Sequence, residues 1–170
     1  AMLKGPIHAR KFTVSSSCPM ENLAIDFIER LVVDEYGNKY ILVIIDSFSR
    51  FIELYPTKTN TAVEVAKRLL EHCGRYGKPA SIKTDKGAAF GNKVINELCI
   101  MLGVVHERTM AYSKEENAIV ERANKEILRH LKNIIFDKNV LKKWSEYLPL
   151  VQRIMRSCKH RVTGVSPTEI

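Results

Sequence analysis

At 170 residues, with 45% hydrophobic and 27% charged side chains, the chain has the size and balance of one globular domain with its own core, which excludes a disordered chain or a fibrous repeat. Its formal net charge of +8 is unevenly placed: residues 122 to 161 hold eleven basic and three acidic side chains, the stretch before them is near neutral, and a polyanion-binding surface is expected in the last third. No apolar run approaches the ~18 residues that cross a bilayer, and the four cysteines form no C-x-x-C pair and share no zinc spacing with the five histidines, so a soluble chain in a reducing, intracellular setting without zinc is expected.

Residues 1–20 carry Gly5, Pro6, Pro19 and Ser15-Ser16-Ser17 without periodicity and read as an arm or linker before a single domain over 21–170. Ala1 ahead of Met2 has the look of a cleavage scar, which would place the arm inside a longer protein. From Leu23 to Leu31 the pattern is a strand, with Leu23, Ile25 and Phe27 on one face and Ala24, Asp26 and Ile28 on the other. A turn over Asp34 to Asn38 leads into Tyr40 to Ile45, a β-branched run expected to be buried on both faces. A short turn at Asp46 to Ser49 then leads into a third strand, Phe51 to Tyr55. Thr61-x-x-Glu64 resembles a capping box, and Val63, Ala66, Leu69, Leu70 and Cys73 recur at helical spacing until Gly74 and Gly77 stop the helix.

A short strand over Ala80 to Thr84 delivers Asp85, Val94, Leu98, Ile100, Met101 and Leu102 form a helix closed by Gly103, and Val104 to Thr109 is the last strand. Residues 110–117 show no periodicity and are expected to form a loop on the active-site side. Two helices follow, over about 118–138 and 140–160, with Pro149 placed to kink or split the second. The order βββαβαβ, three antiparallel strands extended by two parallel ones reached through helices, is an α/β fold of ribonuclease H-like architecture: a five-stranded mixed sheet flanked by helices.

Asp26, Asp85 and Glu121 each fall where a strand or helix pattern gives way to a polar stretch, and together they spell D-x58-D-x35-E. Carboxylates gathered from three separate elements suit one task above others, holding two divalent cations over a phosphodiester. A lone carboxylate inside an apolar strand, as Asp26 is, is costly unless it is paired or holds a metal. Each has a plainer alternative: a lysine partner for Asp26, an Asx-turn before Gly87 for Asp85, and an i,i+4 ion pair with Lys125 for Glu121. At about 100° per residue, the helix after 118 sets Ile119, Val120, Ala123, Ile127, Leu131 and Ile134 on one side and Glu121, Lys125, Arg129 and Lys132 along another. Glu121 thus adjoins a cationic ridge suited to tracking phosphates. Asp46 reads as a local turn cap, Glu53 as facing solvent or a neighbouring strand, and Asp34, Glu35, Glu115 and Glu116 as surface charges.

With those residues in place, the chain from about Pro19 to Ile170 resembles the catalytic core of retroviral and gypsy-type LTR-retrotransposon integrases. The blocks that carry the likeness are Ala24-Ile-Asp26-Phe-Ile, Gly37-Asn-Lys-Tyr40 through Val43-Ile-Ile-Asp-Ser-Phe-Ser-Arg-Phe51, Gly77-Lys-Pro79, Thr84-Asp85-Lys-Gly87-Ala-Ala-Phe90, Asn117-Ala-Ile-Val-Glu121-Arg-Ala-Asn124 and His160 to Pro167. The resemblance implies a D,D-35-E site in which Asp26 and Asp85 jointly bind a first Mg2+ or Mn2+ ion and Glu121 completes a second. It also implies Asn117, Arg122 and Lys125 close to the DNA end, and with Tyr112 and Arg129 these are the residues expected to position DNA. The implied activity is 3′-end processing and DNA strand transfer, performed in the nucleus by a homodimer or higher homo-oligomer on retroelement DNA ends and target DNA. Lys114 in place of a loop proline, Ala89 in place of Gln or Glu, and Arg156 where Asn is common depart from the family pattern and leave the carboxylates intact. The zinc-binding amino-terminal module and the small β-barrel that flank such cores are not matched in these residues. The alternative readings are a domesticated non-catalytic DNA-binding or assembly module, and a ribonuclease H-like nuclease or transposase with the same metal chemistry.

Overall fold

A computed structural model describes residues 16–29, 31–108, 114–138, 140–161 and 163–170, giving for 114–117 and 136–138 the course of the helix alone. Three strands come first: β1 (Asn22–Ile28), β2 (Tyr40–Asp46) and β3 (Ile52–Thr57). They are followed by α1 (Ala62–Tyr76), β4 (Ser81–Thr84), α2 (Lys93–Leu102), β5 (Val105–Arg108), α3 (Lys114–Lys138), a 3₁₀ helix (Leu141–Tyr147) and α4 (Leu148–Ser157). The strands form one sheet in the order β3-β2-β1-β4-β5. Pairing is antiparallel across β1–β2 and β2–β3 and parallel across β1–β4 and β4–β5, the mixed sheet expected from the sequence.

The period-2 alternation of β1 feeds two cores at once. Leu23, Ile25 and Phe27 pack with Val65 and Leu69 of α1 and Ile95 and Leu98 of α2. Ala24 and Ile28 pack on the opposite face with Val120, Ala123, Ile127 and Leu131 of α3, Trp144 of the 3₁₀ helix, and Leu148 and Val151 of α4. Being covered on both faces, the sheet has no use for a polar alternation in β2, whose residues from Ile41 to Asp46 are all buried. Asp26 shares its face with Ala24 and Ile28, so it points to the α3 side of the sheet.

Several expectations are corrected. In α1 the buried stripe is Ala62, Val65, Leu69 and His72, while Val63 and Leu70 stand 67% and 49% exposed. The capping box does not form: the Thr61 side chain makes no cap bond, and Glu64 instead accepts from Arg68 at 2.9 Å. Gly74 stays within the helix, and Gly77, at φ 85°, ends it.

Residues 114–117 form the first turn of α3 rather than part of a loop. Lys-Glu-Glu are good helix formers, and carboxylates suit the positive end of the helix dipole, so this turn needs no apolar period. The predicted helix over 140–160 is split into the 3₁₀ helix and α4, with Pro149 in the first turn of α4, where its missing N–H costs no intrahelical bond. Glu53 is only 4% exposed, bonded by Arg156 and by the Tyr76 hydroxyl at 2.6 Å, and does not face solvent. Asp34 is buried too: it accepts from the N–H of Tyr36 at 3.0 Å and of Asn38 at 2.7 Å, and from the hydroxyl of Ser145, tying the β1–β2 turn to the 3₁₀ helix. Asp46 does cap its own turn, accepting from the Ser49 N–H at 2.8 Å.

Candidate metal and nucleic-acid site

The parallel ladder between β1 and β4 ends at the pair Ile25 and Thr84. The next residue in each case is a candidate ligand: Asp26 lies within β1, still paired with Val43 of β2, and Asp85 follows the last residue of β4, so the two stand at the same level where the β1–β4 pairing ends. Asp26 is partly buried. The Phe27 N–H donates to its Oδ1 and the Asn124 side-chain amide to its Oδ2, each at 2.8 Å. Burial pushes its carboxyl up to about 6, the negative charge of Asp85 adds to the rise, and the two hydrogen bonds oppose it. Asp85 is exposed, and its Oδ1 accepts from the Gly87 N–H at 2.8 Å. The Asx-turn weighed against a ligand role is therefore present, and it orients the carboxylate. A Cβ at Gly87 would lie 2.9 Å from that same oxygen, so glycine here leaves the carboxylate room to keep this position.

Glu121 lies on the exposed side of α3, one turn before Asn124, and makes no ion pair with Lys125 among the described residues. Asn124 ties α3 to Asp26, while its own Oδ1 is buried without a partner. Among the described residues no three acidic, histidine or cysteine side chains form a group that could hold a metal ion. The structure thus brings Asp26 and Asp85 into each other's field and α3 against Asp26, without gathering Glu121 into a three-ligand group.

The donor chemistry of the pair suits a hard divalent cation. The charge of Asp85 is felt at the partly buried Asp26, and two carboxylate ligands match an ion that takes its remaining ligands from phosphate and water. Asn124 was missed in the sequence reading; its spacing of three from Glu121 placed it on the same helix face and was the available signal.

Side chains from β5 and α2 bond to the end of β4. The Thr84 Oγ1 lies 2.9 Å from His106 Nε2, and His106 Nδ1 lies 3.2 Å from Asn96 Oδ1. Burial, with the nearby charge of Arg108, holds the His106 imidazole below its ordinary range. Arg108 donates to the Lys86 carbonyl at 3.1 Å and lies against Gly91, where a Cβ would meet its guanidinium at 2.7 Å. Phe90 anchors the same loop in the core, its ring centroid 5.7 Å from that of Phe27.

Of the residues expected to position DNA, Arg122, Lys125 and Arg129 are exposed on α3, as is Lys132, opposite the buried Val120, Ala123, Ile127 and Leu131. Arg122 Nε donates to the Ala118 carbonyl at 3.2 Å. Arg129 is bound to Glu126, with Nε at 3.0 Å, so its charge is partly spent within the helix. Tyr112 and the Asn117 side chain lie outside the described residues.

A model of the integrase core domain matches residues 16–114, more than half of the chain. The Gag-Pol polyprotein of gibbon ape leukemia virus is 37% identical over 147 residues, covering 86% of this chain and 8% of that protein. The chain therefore spans less than a tenth of such a relative. Among solved structures, the simian T-cell lymphotropic virus intasome in complex with the PP2A regulatory subunit B56 gamma superposes with a TM-score of 0.78 at 20% identity, over 89% of this chain and 54% of that one. The HTLV-2 integrase catalytic core domain in complex with magnesium, in its trimeric form, gives 0.72 at 21% identity, over 89% and 96%. At these identities the likeness is one of fold, the ribonuclease H-like architecture of integrase catalytic cores.

Proposed function

This chain belongs to the integrase core domain family, and from that premise we propose that it is the metal-dependent catalytic core of a retroelement integrase, a polynucleotidyl transferase performing 3′-end processing and DNA strand transfer. The observation that carries the reading is the meeting of Asp26 and Asp85 where β1 and β4 part, beneath a helix whose exposed face continues through Lys125 and Lys132. Asp26 and Asp85 would hold one Mg2+ or Mn2+ ion between them and Glu121 would complete a second. When bound, such ions supply the Lewis acidity that makes water or a DNA 3′-hydroxyl a nucleophile and stabilises the leaving oxygen.

The protein's own part is positioning. The Phe27 N–H and Asn124 fix the two oxygens of Asp26, and the Gly87 N–H fixes Asp85. The basic face of α3 offers charge to backbone phosphates on the way to the carboxylates. Retroelement DNA ends and target DNA are the proposed substrates, with Tyr112, Asn117, Arg122, Lys125 and Arg129 as contacts. A second copy of the chain is the proposed partner, in keeping with the HTLV-2 cores solved in trimeric and dimeric forms, and the nucleus is the proposed place of action.

Strand transfer of a duplex donor in Mn2+, run beside a calorimetric Mn2+ titration, tests the reading. Asp26→Asn and Asp85→Asn are expected to lose strand transfer by at least about a thousandfold, since each removes a ligand the chemistry requires, and to weaken Mn2+ binding. Undiminished transfer by Asp26→Asn would overturn the assignment. Carboxylate-dependent Mn2+ binding separates an enzyme from a non-catalytic scaffold, and cleavage restricted to an RNA–DNA hybrid would point instead to a ribonuclease H.

A further inference from the structure

We propose that His106 is a positioning residue for Asp85, acting through the hydroxyl of Thr84 and itself held by Asn96; the inference rests on the reading of Asp85 as a metal ligand. β4 is four residues long, and its ladders end at Thr84, opposite Ile25 on one side and Arg108 on the other. Among the described residues no strand pairing continues beyond Thr84, so the side-chain bonds of Thr84 bear on the direction in which the backbone carries Asp85 away from the sheet. Thr84 is 2% exposed, and its Oγ1 lies 2.9 Å from His106 Nε2 and 3.1 Å from the Asp85 carbonyl oxygen.

The direction of these bonds follows from the donor inventory. A side-chain carbonyl oxygen accepts, so the contact between Asn96 Oδ1 and His106 Nδ1, at 3.2 Å, puts the imidazole proton on Nδ1. Nε2 is then left with a lone pair, and the Thr84 hydroxyl donates to it. The Asp85 carbonyl is a further acceptor within reach of the hydroxyl, at 3.1 Å, and the bond to His106 Nε2 draws the hydrogen toward the imidazole. Three elements, α2, β5 and β4, thus converge on the residue before Asp85.

A valine would fill the same space at Thr84 without any hydroxyl to satisfy, on the face of β4 that it shares with the buried Ile82. Polar groups kept in such a place are costly unless fully bonded, and what they supply is a single fixed geometry. Because threonine is β-branched, fixing its hydroxyl fixes χ1 and constrains the backbone that leads into Asp85.

The experiment compares Thr84→Val and His106→Ala with the rescuing variants Thr84→Ser and His106→Gln. It reads calorimetric Mn2+ affinity, the thermal midpoint, and strand transfer titrated separately in metal and in donor DNA. The Val and Ala variants are expected to raise the Mn2+ concentration at half-saturation by about tenfold, the scale of outer-shell losses at metal sites, with half-saturation in DNA unchanged. The Ser and Gln variants should recover most of that loss, and the double variant should be no worse than the more severe single one. Nitrogen NMR of the wild-type imidazole is expected to show Nδ1 protonated; the opposite tautomer would overturn the proposal. Wild-type Mn2+ affinity in Thr84→Val and His106→Ala, with a lowered thermal midpoint alone, would overturn it as well, leaving an ordinary core bond. Equal Mn2+ binding by the wild type and Asp85→Asn would instead remove the ligand reading on which the proposal stands.

Discussion

Asp26 carries opposed demands within one side chain. Burial and the field of Asp85 favour its protonated form, while the Phe27 N–H and the Asn124 amide favour the carboxylate, and the balance lies near 6 against an ordinary 3.8. The folded chain therefore holds this proton more tightly than the unfolded one. Its contribution to stability is present at low pH and is lost as pH rises from about 4 to about 6, by up to roughly 3 kcal/mol. In chelator, Asp26→Asn should be more stable than the wild type at pH 7, with the gap closing toward pH 4; urea unfolding at both values checks this, and a constant gap would contradict it. Gly87 supplies a companion test at Asp85. Its Cβ would sit 2.9 Å from the carboxylate oxygen at a backbone that alanine can adopt, so Gly87→Ala displaces a flexible side chain rather than the fold. Mn2+ affinity is expected to fall by about tenfold with little change in thermal midpoint. Equal affinity would show that the Asx-turn does not orient the carboxylate for metal.

The edge strand β3 shows how one element is closed by another. Its outward backbone groups are not left to solvent: Gln152 Oε1 on α4 accepts from the Leu54 N–H at 2.8 Å, and Arg156 Nε donates to the Ile52 carbonyl at 2.8 Å. Arg156 also bonds Glu53 and stacks on Phe51, with its guanidinium carbon 3.9 Å from the ring centroid. An asparagine at this position would be too short to span the carbonyl, the carboxylate and the ring together. Arg156→Leu leaves Glu53, with a side chain 5% exposed, to Tyr76 and to Arg75 at 3.5 Å, and should cost roughly 3 kcal/mol. Adding Glu53→Gln should recover a good part of that loss, because the uncompensated charge is gone. Chemical denaturation of the two variants decides the matter, and a double variant no better than the single would mean that packing on Phe51 dominates.

At the scale of the whole chain, what could be read from the sequence was whatever a local period records. The alternation in β1, the apolar run in β2 and the helical stripe after 118 placed the sheet, its two cores and the α3 face, and Asp26 and Asp85 were visible because each interrupts or ends an apolar strand. Groups whose meaning depends on distant partners were not visible: Glu53 and Arg156 lie 103 positions apart, and Asp34 and Ser145 lie 111 apart. The α1 stripe was misplaced because Val63 and Leu70 are as apolar as their buried neighbours, and only packing decides between them. The same limit applies to the basic ridge, which the sequence presents as equivalent cations. In the structure Arg129 is engaged by Glu126, whereas no ion pair among the described residues involves Lys125. Binding of duplex DNA should weaken steeply with salt, and Lys125→Ala should reduce the slope of log affinity against log salt by about 1. Arg129→Ala should reduce it by less, because one charge already neutralised within the helix releases fewer counterions. Glu126→Gln should free Arg129 and steepen the slope. Fluorescence anisotropy over a salt series measures all three, and equal slopes for Lys125→Ala and Arg129→Ala would show that DNA displaces Glu126 and takes both cations alike.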